Sequence, residues 1–308
     1  MSTTPIERIR ESAQDSYVLR NLLGGIRIML SDRSAKLYFS IVVLVLLLGL
    51  VGPSIAPYEY DKTFRGEDGQ VQRLEPPSLE HPLGTTDLGY DVLSRLLYGA
   101  QPTVISGLLG GTIIITFGLT VGLVAGFSGG RIDNSLMRFT DLVYGVPLLP
   151  FAIVLTAFFG IGFIQSILII GLILWRGSAR VIRAQVLQIK ERPFILAARG
   201  TGSSRPRIIV KHILPNVASM AILFFALGIG YTIIIQASLS FIGVTSPFVP
   251  SWGVMVRNAY KSGYMSVAWW WSLPPALLIA FTVMATFMFG RTYERVSGQT
   301  DGSLAQMG

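Results

Sequence analysis

The chain has 308 residues, of which 51% are hydrophobic and 14% are charged, and its formal net charge is +8. Soluble domains carry about 25% charged residues, so this composition predicts an integral membrane protein. The chain has no cysteine, which excludes disulfides and thiolate metal sites, and its two histidines, His81 and His212, lie in different loops, which excludes a multi-histidine metal site.

The charges are divided between segments of the chain. Residues 1–36 carry six Lys/Arg and four acids, residues 56–102 carry four Lys/Arg and eight acids, and residues 176–211 carry nine Lys/Arg and one acid. Because loops rich in Lys/Arg stay in the cytoplasm, the first and third segments are predicted inside and the second outside. The basic loop lacks interleaved aromatic residues that would stack on bases, so no nucleic-acid partner is predicted.

Residues 1–36 do not resemble a cleaved signal peptide, since the first hydrophobic run begins too far along the chain. They are predicted to be a cytoplasmic segment, and their pattern fits a short helix on the inner membrane surface or a loosely ordered tail equally well. Residues 37–55 are uncharged and close to the roughly 20 residues that a bilayer requires, which predicts a first span running outward.

Residues 56–102 form a long polar segment that is predicted to be external. Within it, the stretch His81–Gln101 has Thr86 or Asp87 as a candidate cap. An apolar stripe predicts an amphipathic helix lying on the outer surface. The residues of that stripe are Val92, Leu93, Leu96 and Leu97.

Five further spans are predicted within residues 103–290, interrupted by a cytoplasmic loop at 184–215 and followed by a cytoplasmic tail at 291–308. The second span, 103–127, carries three glycines spaced four residues apart, which lets a neighbouring helix approach closely. These glycines are Gly118, Gly122 and Gly126.

The third predicted span covers residues 137–160. Asp141 lies near its start, where capping or ion pairing is favoured over a role in transport. Pro147 and Pro150 predict a kink in the same span. The fourth predicted span begins at Ile164 and ends near Arg183.

The fifth predicted span, residues 217–241, carries three polar side chains: Gln236, Ser238 and Ser240. The sequence leaves open whether they line a substrate path or hydrogen-bond to neighbouring helices. Gln236 and Ser240 are therefore carried forward as candidate path residues.

Residues 242–267 are predicted to be a rigid, proline-rich external loop. The sixth predicted span, residues 269–290, runs inward. Three tryptophans at its outer end, Trp269, Trp270 and Trp271, predict an aromatic belt at the membrane interface.

The basic loop has the local chemistry of two short helices around a tight corner. Residues 194–199 favour a helix, and Gly200 and Gly202 end it, since glycine adopts left-handed backbone angles without strain. Ser203 or Ser204 is a candidate cap for the next helix. On these features the segment is either an ordinary cytoplasmic loop or a plug for a partner's groove.

The spacing of this loop resembles the signature of ABC importer membrane subunits, E-A-A, three residues, Gly, nine residues, then I-x-L-P. Leu196 stands at the Glu position and His212 at the Ile position, as the peptide-type branch tolerates. The matched positions are Ala197, Ala198, Gly202, Leu214 and Pro215.

This resemblance implies a coupling helix that docks into a cleft on an ATP-binding subunit. No catalytic or metal-binding residue is predicted in this chain, and ATP and Mg are expected on the partner subunits. The contact with the ATPase subunit is predicted at Leu196, Ala197, Ala198, Arg199, Gly200, Thr201, Gly202, His212, Leu214 and Pro215.

Two predicted external stretches resemble the dipeptide/oligopeptide branch of the same family. His81–Ala100 is similar to HPLGTD-x-x-G-R-D-V-L-S-R-L-x-Y-G-A, with Tyr90 in place of Arg. The Pro-Ser-Trp-Gly of the second loop is similar to a family segment on the side that meets a solute-binding protein, and an interfacial anchor at Trp252 is the alternative. The implied binding-protein-facing residues are Pro250, Ser251, Trp252 and Gly253.

The resemblance implies an all-α integral membrane protein with six transmembrane helices of the type I ABC importer permease fold and both termini cytoplasmic. The chain is predicted to be the C-type subunit of a heterodimeric permease that takes up di- or oligopeptides into a prokaryotic cell. Oligosaccharide or nickel with the same mechanism stays open.

Partners are predicted accordingly. No G-x-x-x-x-G-K-[ST] motif is present, so ATP hydrolysis is expected from two cytoplasmic ATP-binding subunits. The other predicted partners are a second permease subunit, an extracytoplasmic solute-binding protein and the lipid bilayer of the cell membrane. A self-sufficient channel or secondary transporter, the alternative of another class, needs an inverted repeat or intramembrane charges.

Overall fold

The computed structural model describes residues 33–159 and 162–305, so the predicted helix within residues 1–32 lies outside the described residues. Those ranges hold ten α-helices and a π-helical turn. The helices are α1 Arg33–Ile55, α2 Val92–Ser128, α3 Gly130–Tyr144, α4 Leu148–Phe159, α5 Phe163–Ile189, α6 Pro193–Gly200, α7 Arg205–Ile208, then the π-helical turn Ile209–Ile213, α8 Leu214–Ile242, α9 Trp252–Lys261 and α10 Trp269–Ala305.

Several of these helices are suited to cross a membrane. Four are long and apolar enough: α1, α2, α7 joined to α8, and α10 as far as Val296. The pair α3 and α4 makes a fifth if it is one broken span, since the two helices are bent by 79°. The all-helical membrane fold is therefore confirmed.

Helix α2 lies at the centre of the bundle and packs along α5 through its glycines. A Cβ on Gly118 would lie 1.9 Å from Ser178 Oγ, and one on Gly126 would lie 2.9 Å from the Arg183 carbonyl oxygen. A Cβ on Gly122 would come equally close to atoms of α5. The predicted close packing at this four-residue spacing is confirmed, because only glycine admits these approaches.

The two ends of α2 define the two ends of the bundle. Its first residue follows a folded lobe, residues 56–91, and we call this side the lobe end. Its last turn lies beside α6, which we call the loop end. Helix α8 packs against the middle of α2, where a Cβ on Gly111 would lie 3.0 Å from the backbone nitrogen of Ile229.

The predicted third span is broken rather than kinked. Helix α3 begins at Gly130, so Asp141 lies in its last turn and not in its first. Pro147, which cannot donate a backbone hydrogen bond, lies between the two helices. Helix α5 also continues to Ile189, past the predicted end near Arg183.

The predicted amphipathic helix over His81–Gln101 is wrong at its start. Gly84 and Gly89 have φ of 67° and 71°, and the stretch before Val92 is folded into turns. Asp91 rather than Thr86 or Asp87 is the cap, with its Oδ1 accepting from Ser94 N at 2.6 Å. The helix continues directly into the membrane as α2, since Pro102 is accommodated within it.

Polar contacts hold the lobe together and fix it to the bundle. His81 Nδ1 lies 2.9 Å from Asp91 Oδ2, and both side chains are buried. Thr85 Oγ1 donates to the Gln72 carbonyl at 2.7 Å. The backbone nitrogen of Tyr58 donates to Ser94 Oγ at 3.1 Å. The lobe is thereby fixed on the first turn of α2.

The predicted tryptophan belt is wrong for two of its three members. Trp269 is 53% exposed, but Trp270 is 8% exposed and Trp271 is 3% exposed. Trp270 Nε1 donates to the Thr85 carbonyl at 3.3 Å. Two tryptophans therefore pack under the lobe, and the loop after α8 is not purely irregular, since it contains α9.

Candidate functional site

Helix α6 at the loop end is anchored by one wholly buried side chain. Ile195 packs in an apolar cluster with Ile189 of α5, Ile208 of α7 and Val217 of α8. Burial of such a side chain stabilises a contact by about 1.5–3 kcal/mol. Ile195 therefore packs α6 against α5 and α8.

The opposite face of α6 is turned outward. Leu196, Ala197 and Arg199 are exposed, as is the Gly200 that ends the helix. A Cβ on Gly200 would have no atom within 4 Å. A small, flat and partly apolar surface is thus available at the loop end of the chain.

The corner after α6 has the predicted glycine geometry. Gly202 has φ of 79°, and Ser203 N donates to the Ala198 carbonyl at 3.1 Å, which closes the end of the helix. Thr201 and Gly202 are exposed. Ser204 is the N-cap residue of α7, without a side-chain capping bond.

The other three predicted contact residues lie away from this surface. His212 belongs to the π-helical turn, and its ring centroid is 6.5 Å from that of Phe194. Leu214 packs against the apolar cluster, and Pro215 is in the first turn of α8. The structure therefore gathers Leu196, Ala197 and residues 199–202 on one surface and places Ala198, His212, Leu214 and Pro215 in its support.

Two cationic contacts tie this region to the end of α2. Arg199 Cζ lies 5.5 Å from the Phe127 ring centroid, within range of a cation–π interaction. Lys190 Nζ donates to the Gly126 carbonyl at 3.2 Å. The exposed surface is thus fixed relative to the central helix.

The structure also shows a row of arginines on α5 that faces α3. Arg183 holds Asp133 through two hydrogen bonds of 2.5 and 2.6 Å, and Arg180 pairs with Asp141. Arg176 Nη1 donates to the Val143 carbonyl at 2.5 Å. We call these three side chains the arginine row.

Sequence analysis did not identify the arginine row, although its spacing was visible. Positions 176, 180 and 183 recur at helical intervals, and two acids, Asp133 and Asp141, are spaced eight residues apart in the preceding helix. Pairing of Asp141, favoured from the sequence, is confirmed.

Comparison with known proteins decides the class of this bundle. The family described as "Binding-protein-dependent transport system inner membrane component" matches residues 118–296, more than half of the chain. The chain belongs to this family. It is a multi-pass protein of a prokaryotic plasma membrane, as predicted.

The alignments of this permease with several curated relatives cover most of each relative's length. The dipeptide transport system permease protein DppC of Bacillus subtilis is 35% identical over 252 residues, which cover 81% of this chain and 77% of the relative. The oligopeptide permease OppC of the same organism is 31% identical, and its alignment covers 74% of this chain and 73% of the relative. The glutathione permease GsiD of Pectobacterium atrosepticum is 32% identical and covers 81% of each chain.

A solved structure of the MetNI methionine ABC transporter in inward-facing conformations is also similar to the permease. It has a TM-score of 0.48 and 21% identity and covers 66% of this chain and 95% of that chain.

At the lobe end, the Pro-Ser-Trp-Gly motif of the permease is largely buried. Trp252 is 0% exposed, and its Nε1 donates to the Leu96 carbonyl of α2 at 2.9 Å. Ser251 caps α9, and a Cβ on Gly253 would lie 2.7 Å from Ala237 Cα. Pro250 is half-buried. The motif holds the loop to α2 and α8, and the interfacial-anchor alternative for Trp252 is wrong.

The two candidate path residues are buried inside the permease. Gln236 Oε1 accepts from Ser166 Oγ of α5 at 3.0 Å, and Ser240 Oγ lies 2.8 Å from Thr245 Oγ1. Gln236 Nε2 has no partner within the described part of the chain. The structure places Gln236 in an interhelical hydrogen bond and Ser240 in a hydrogen bond to the loop after α8, while their contact with a substrate stays a prediction.

Proposed function

We propose that this permease is one of two membrane subunits of an ATP-driven importer for di- and oligopeptides. Relatives named as dipeptide, oligopeptide and glutathione permeases, which match over most of the chain, support this substrate class. A second permease subunit, two cytoplasmic ATP-binding subunits and an extracytoplasmic solute-binding protein complete the transporter. ATP and Mg belong to the ATP-binding subunits.

The proposed topology has six spans with both termini in the cytoplasm. Helices α1 and α2 are the first two spans, the broken pair α3 and α4 is the third, and α5 is the fourth. Helix α7 joined to α8 is the fifth, and α10 is the sixth. The basic residues near the loop end, among them Lys190, Arg192, Arg205 and Arg207, support its cytoplasmic side. The acidic lobe then lies outside.

The observation that carries the mechanism is the two-faced character of α6. One face is locked into the bundle by Ile195, and the other presents Leu196, Ala197 and Arg199 outward. A helix of this kind transmits a push from a bound ATPase to α5 and α8. Closure of the ATPase pair would then tilt these spans and switch access from outside to inside.

The lobe end is the proposed contact region for the loaded binding protein. Its exposed apolar side chains include Phe248 at 86% exposure and Leu79 at 104% exposure. Since Ser251, Trp252 and Gly253 are buried, we assign them to positioning this surface. Phe248, four residues before Trp252, is the better candidate for direct contact.

ATPase activity in liposomes tests this function. The permease is reconstituted with its partner permease and the ATP-binding subunits, and the cognate binding protein is added loaded with peptide or with oligosaccharide. Stimulation by the peptide-loaded form alone is the expected result. Stimulation by the sugar-loaded form would contradict the substrate class, and an assembled complex without any coupling would favour a self-sufficient channel or secondary transporter.

A further inference from the structure

A groove of about 230 Å³ opens on the bundle beside the break between α3 and α4. We call it the central groove. Most of its wall is apolar. The polar side chains that line it are Tyr144, Arg176, Ser178 and Tyr231.

The central groove lies beside the middle of α8. Gly228, which lines it, is 14 residues from Leu214 and 14 residues from Ile242, the two ends of α8. Helix α8 is one of the helices suited to cross the bilayer. In the proposed topology the groove therefore lies within the membrane-spanning part of this helix.

Arg176 carries an unbalanced charge at this depth. Its neighbours Arg180 and Arg183 are each paired with a carboxylate of α3. Arg176 instead donates from Nη1 to the carbonyls of Val143 and Val146, and its guanidinium lies 4.7 Å from the Tyr144 ring centroid. Within residues 33–159 and 162–305, it forms no ion pair.

A lone charge at the membrane centre is costly unless it faces protein or a water-filled cavity, and it is by default a functional feature. The same holds for non-helical backbone at this depth, which is tolerated only where it is covered by protein or lines such a cavity. Residues 145–147 are non-helical beside the groove. Charge and backbone thus both indicate that the groove is wet during part of the transport cycle.

The donor geometry of Arg176 favours a carboxylate as its ligand. Both described contacts with carbonyls use Nη1, which leaves Nε and Nη2 for a two-point contact with a carboxylate. No acidic residue lines the groove. A substrate ammonium group would therefore find no counter-charge there, whereas a carboxylate would.

We propose that the central groove is a substrate-contact site on the translocation path, at which Arg176 binds the carboxylate of a peptide in transit. The inference rests on the proposed function and adds a charge preference to it. Tyr144 holds the guanidinium by stacking and is a positioning residue. Selection by the permease would then favour peptides with a free C-terminal carboxylate.

Paired peptide probes test the site in the reconstituted transporter. Uptake of trialanine and of trialanine amide is measured with the same saturating binding protein, so that the preference of that protein is identical for every permease variant. Arg176→Gln is expected to lower trialanine uptake about tenfold and to leave amide uptake within about twofold, because one charge-assisted contact is lost. Arg176→Lys keeps the charge and is expected to keep the preference for trialanine.

Two further variants separate this role from the capping of α3. The double variant Arg183→Gln with Asp133→Asn removes a neutral ion pair from the same helix, and its uptake ratio is expected to match wild type. Gly177→Leu extends a side chain into the groove without changing charge, since a Cβ there meets only the Tyr144 hydroxyl at 3.7 Å. It is expected to lower trialanine uptake in an assembled complex.

The outcomes are distinguishable. If assembled Arg176→Gln lowers uptake of both probes equally, Arg176 only caps the helix break and the inference is overturned. Should Arg176→Gln fail to assemble, loss of the preference in Arg176→Lys, or full trialanine uptake by Gly177→Leu, would also overturn it. If the wild-type transporter imports neither probe, the proposed function itself fails, and the inference falls with it.

Discussion

Arg183 and Asp133 are 50 residues apart in the chain and meet through two parallel hydrogen bonds of 2.5 and 2.6 Å. The carboxylate is 10% exposed and the guanidinium 30% exposed, so the pair is mostly shielded from water. The bidentate geometry fixes the start of α3 against the end of α5. The broken span is thereby anchored through α3.

The first prediction concerns this pair. Arg183→Gln leaves the Asp133 carboxylate shielded and without its counter-charge, which is expected to cost about 2 kcal/mol, below the figure for a fully buried pair. A lower apparent Tm in detergent is the measurement. The double variant Arg183→Gln with Asp133→Asn should recover most of the loss. An equal fall in Tm for Arg138→Gln, an exposed control, would contradict the assignment.

The second prediction concerns the packing of α2 on α5. Gly122→Ala places a Cβ 2.8 Å from Ile182 Cβ and 2.9 Å from the Ala179 carbonyl oxygen, and neither atom moves without shifting the α5 backbone. Destabilisation of about 1–3 kcal/mol is expected from overpacking. Thermal unfolding of Gly177→Ala supplies the matched control, since its new Cβ has only one ordinary contact. Unchanged Tm in Gly122→Ala would show that α2 and α5 separate easily.

The third prediction tests the docking role of α6. Gly200→Trp adds a large side chain to the exposed surface, where nothing lies within 4 Å of the new Cβ. We expect normal folding and at least about fivefold loss of binding-protein-stimulated ATPase activity, since a single well-placed contact residue is worth about 1 kcal/mol or more. Co-purification with the ATP-binding subunits measures the docking directly.

Gly200 is a better test position than Gly202. Gly202 has φ of 79°, so any substitution there strains the backbone by about 1–2 kcal/mol in addition to obstructing the surface. Full ATPase stimulation in Gly200→Trp would contradict docking at this surface. Loss of activity in Gly202→Ala alone would indicate only that the corner must keep its shape.

The fourth prediction distinguishes positioning from partner contact at the lobe end. Trp252→Phe leaves the Leu96 carbonyl without its Nε1 donor, and a loss of about 1–2 kcal/mol is expected. Trp269→Phe, on the 53% exposed tryptophan, should change the Tm little. If Trp252→Phe instead keeps its Tm and weakens binding-protein affinity, Trp252 is a direct contact.

Local chemistry made the loop end predictable from the sequence. The corner at Gly202 follows from two glycines after a helix-forming run, and the close packing of Gly118 follows from its spacing alone. These features depend on residues within one or two helical turns. The exposed face formed by Leu196, Ala197 and Arg199 follows in the same way once Ile195 is recognised as its apolar anchor.

Long-range contacts decided what the sequence could not indicate. Trp252 and Trp270 have the composition of interfacial anchors, but each indole finds a carbonyl acceptor more than 150 residues away, at Leu96 and Thr85. Tertiary packing therefore overrides the interfacial preference of tryptophan. The 79° bend at Pro147 is likewise fixed from outside, since Arg176 of α5 satisfies the carbonyl of Val143.

Helix α2 runs without interruption for 37 residues, from the first turn that holds the lobe to the last turn beside α6. At 1.5 Å per residue this rod is about 55 Å long. A rotation of about 5° around one end would displace the other end by about 5 Å over that length. In the proposed topology a single rigid helix therefore connects the two faces of the membrane, so that a tilt of α2 would displace the lobe and α6 together.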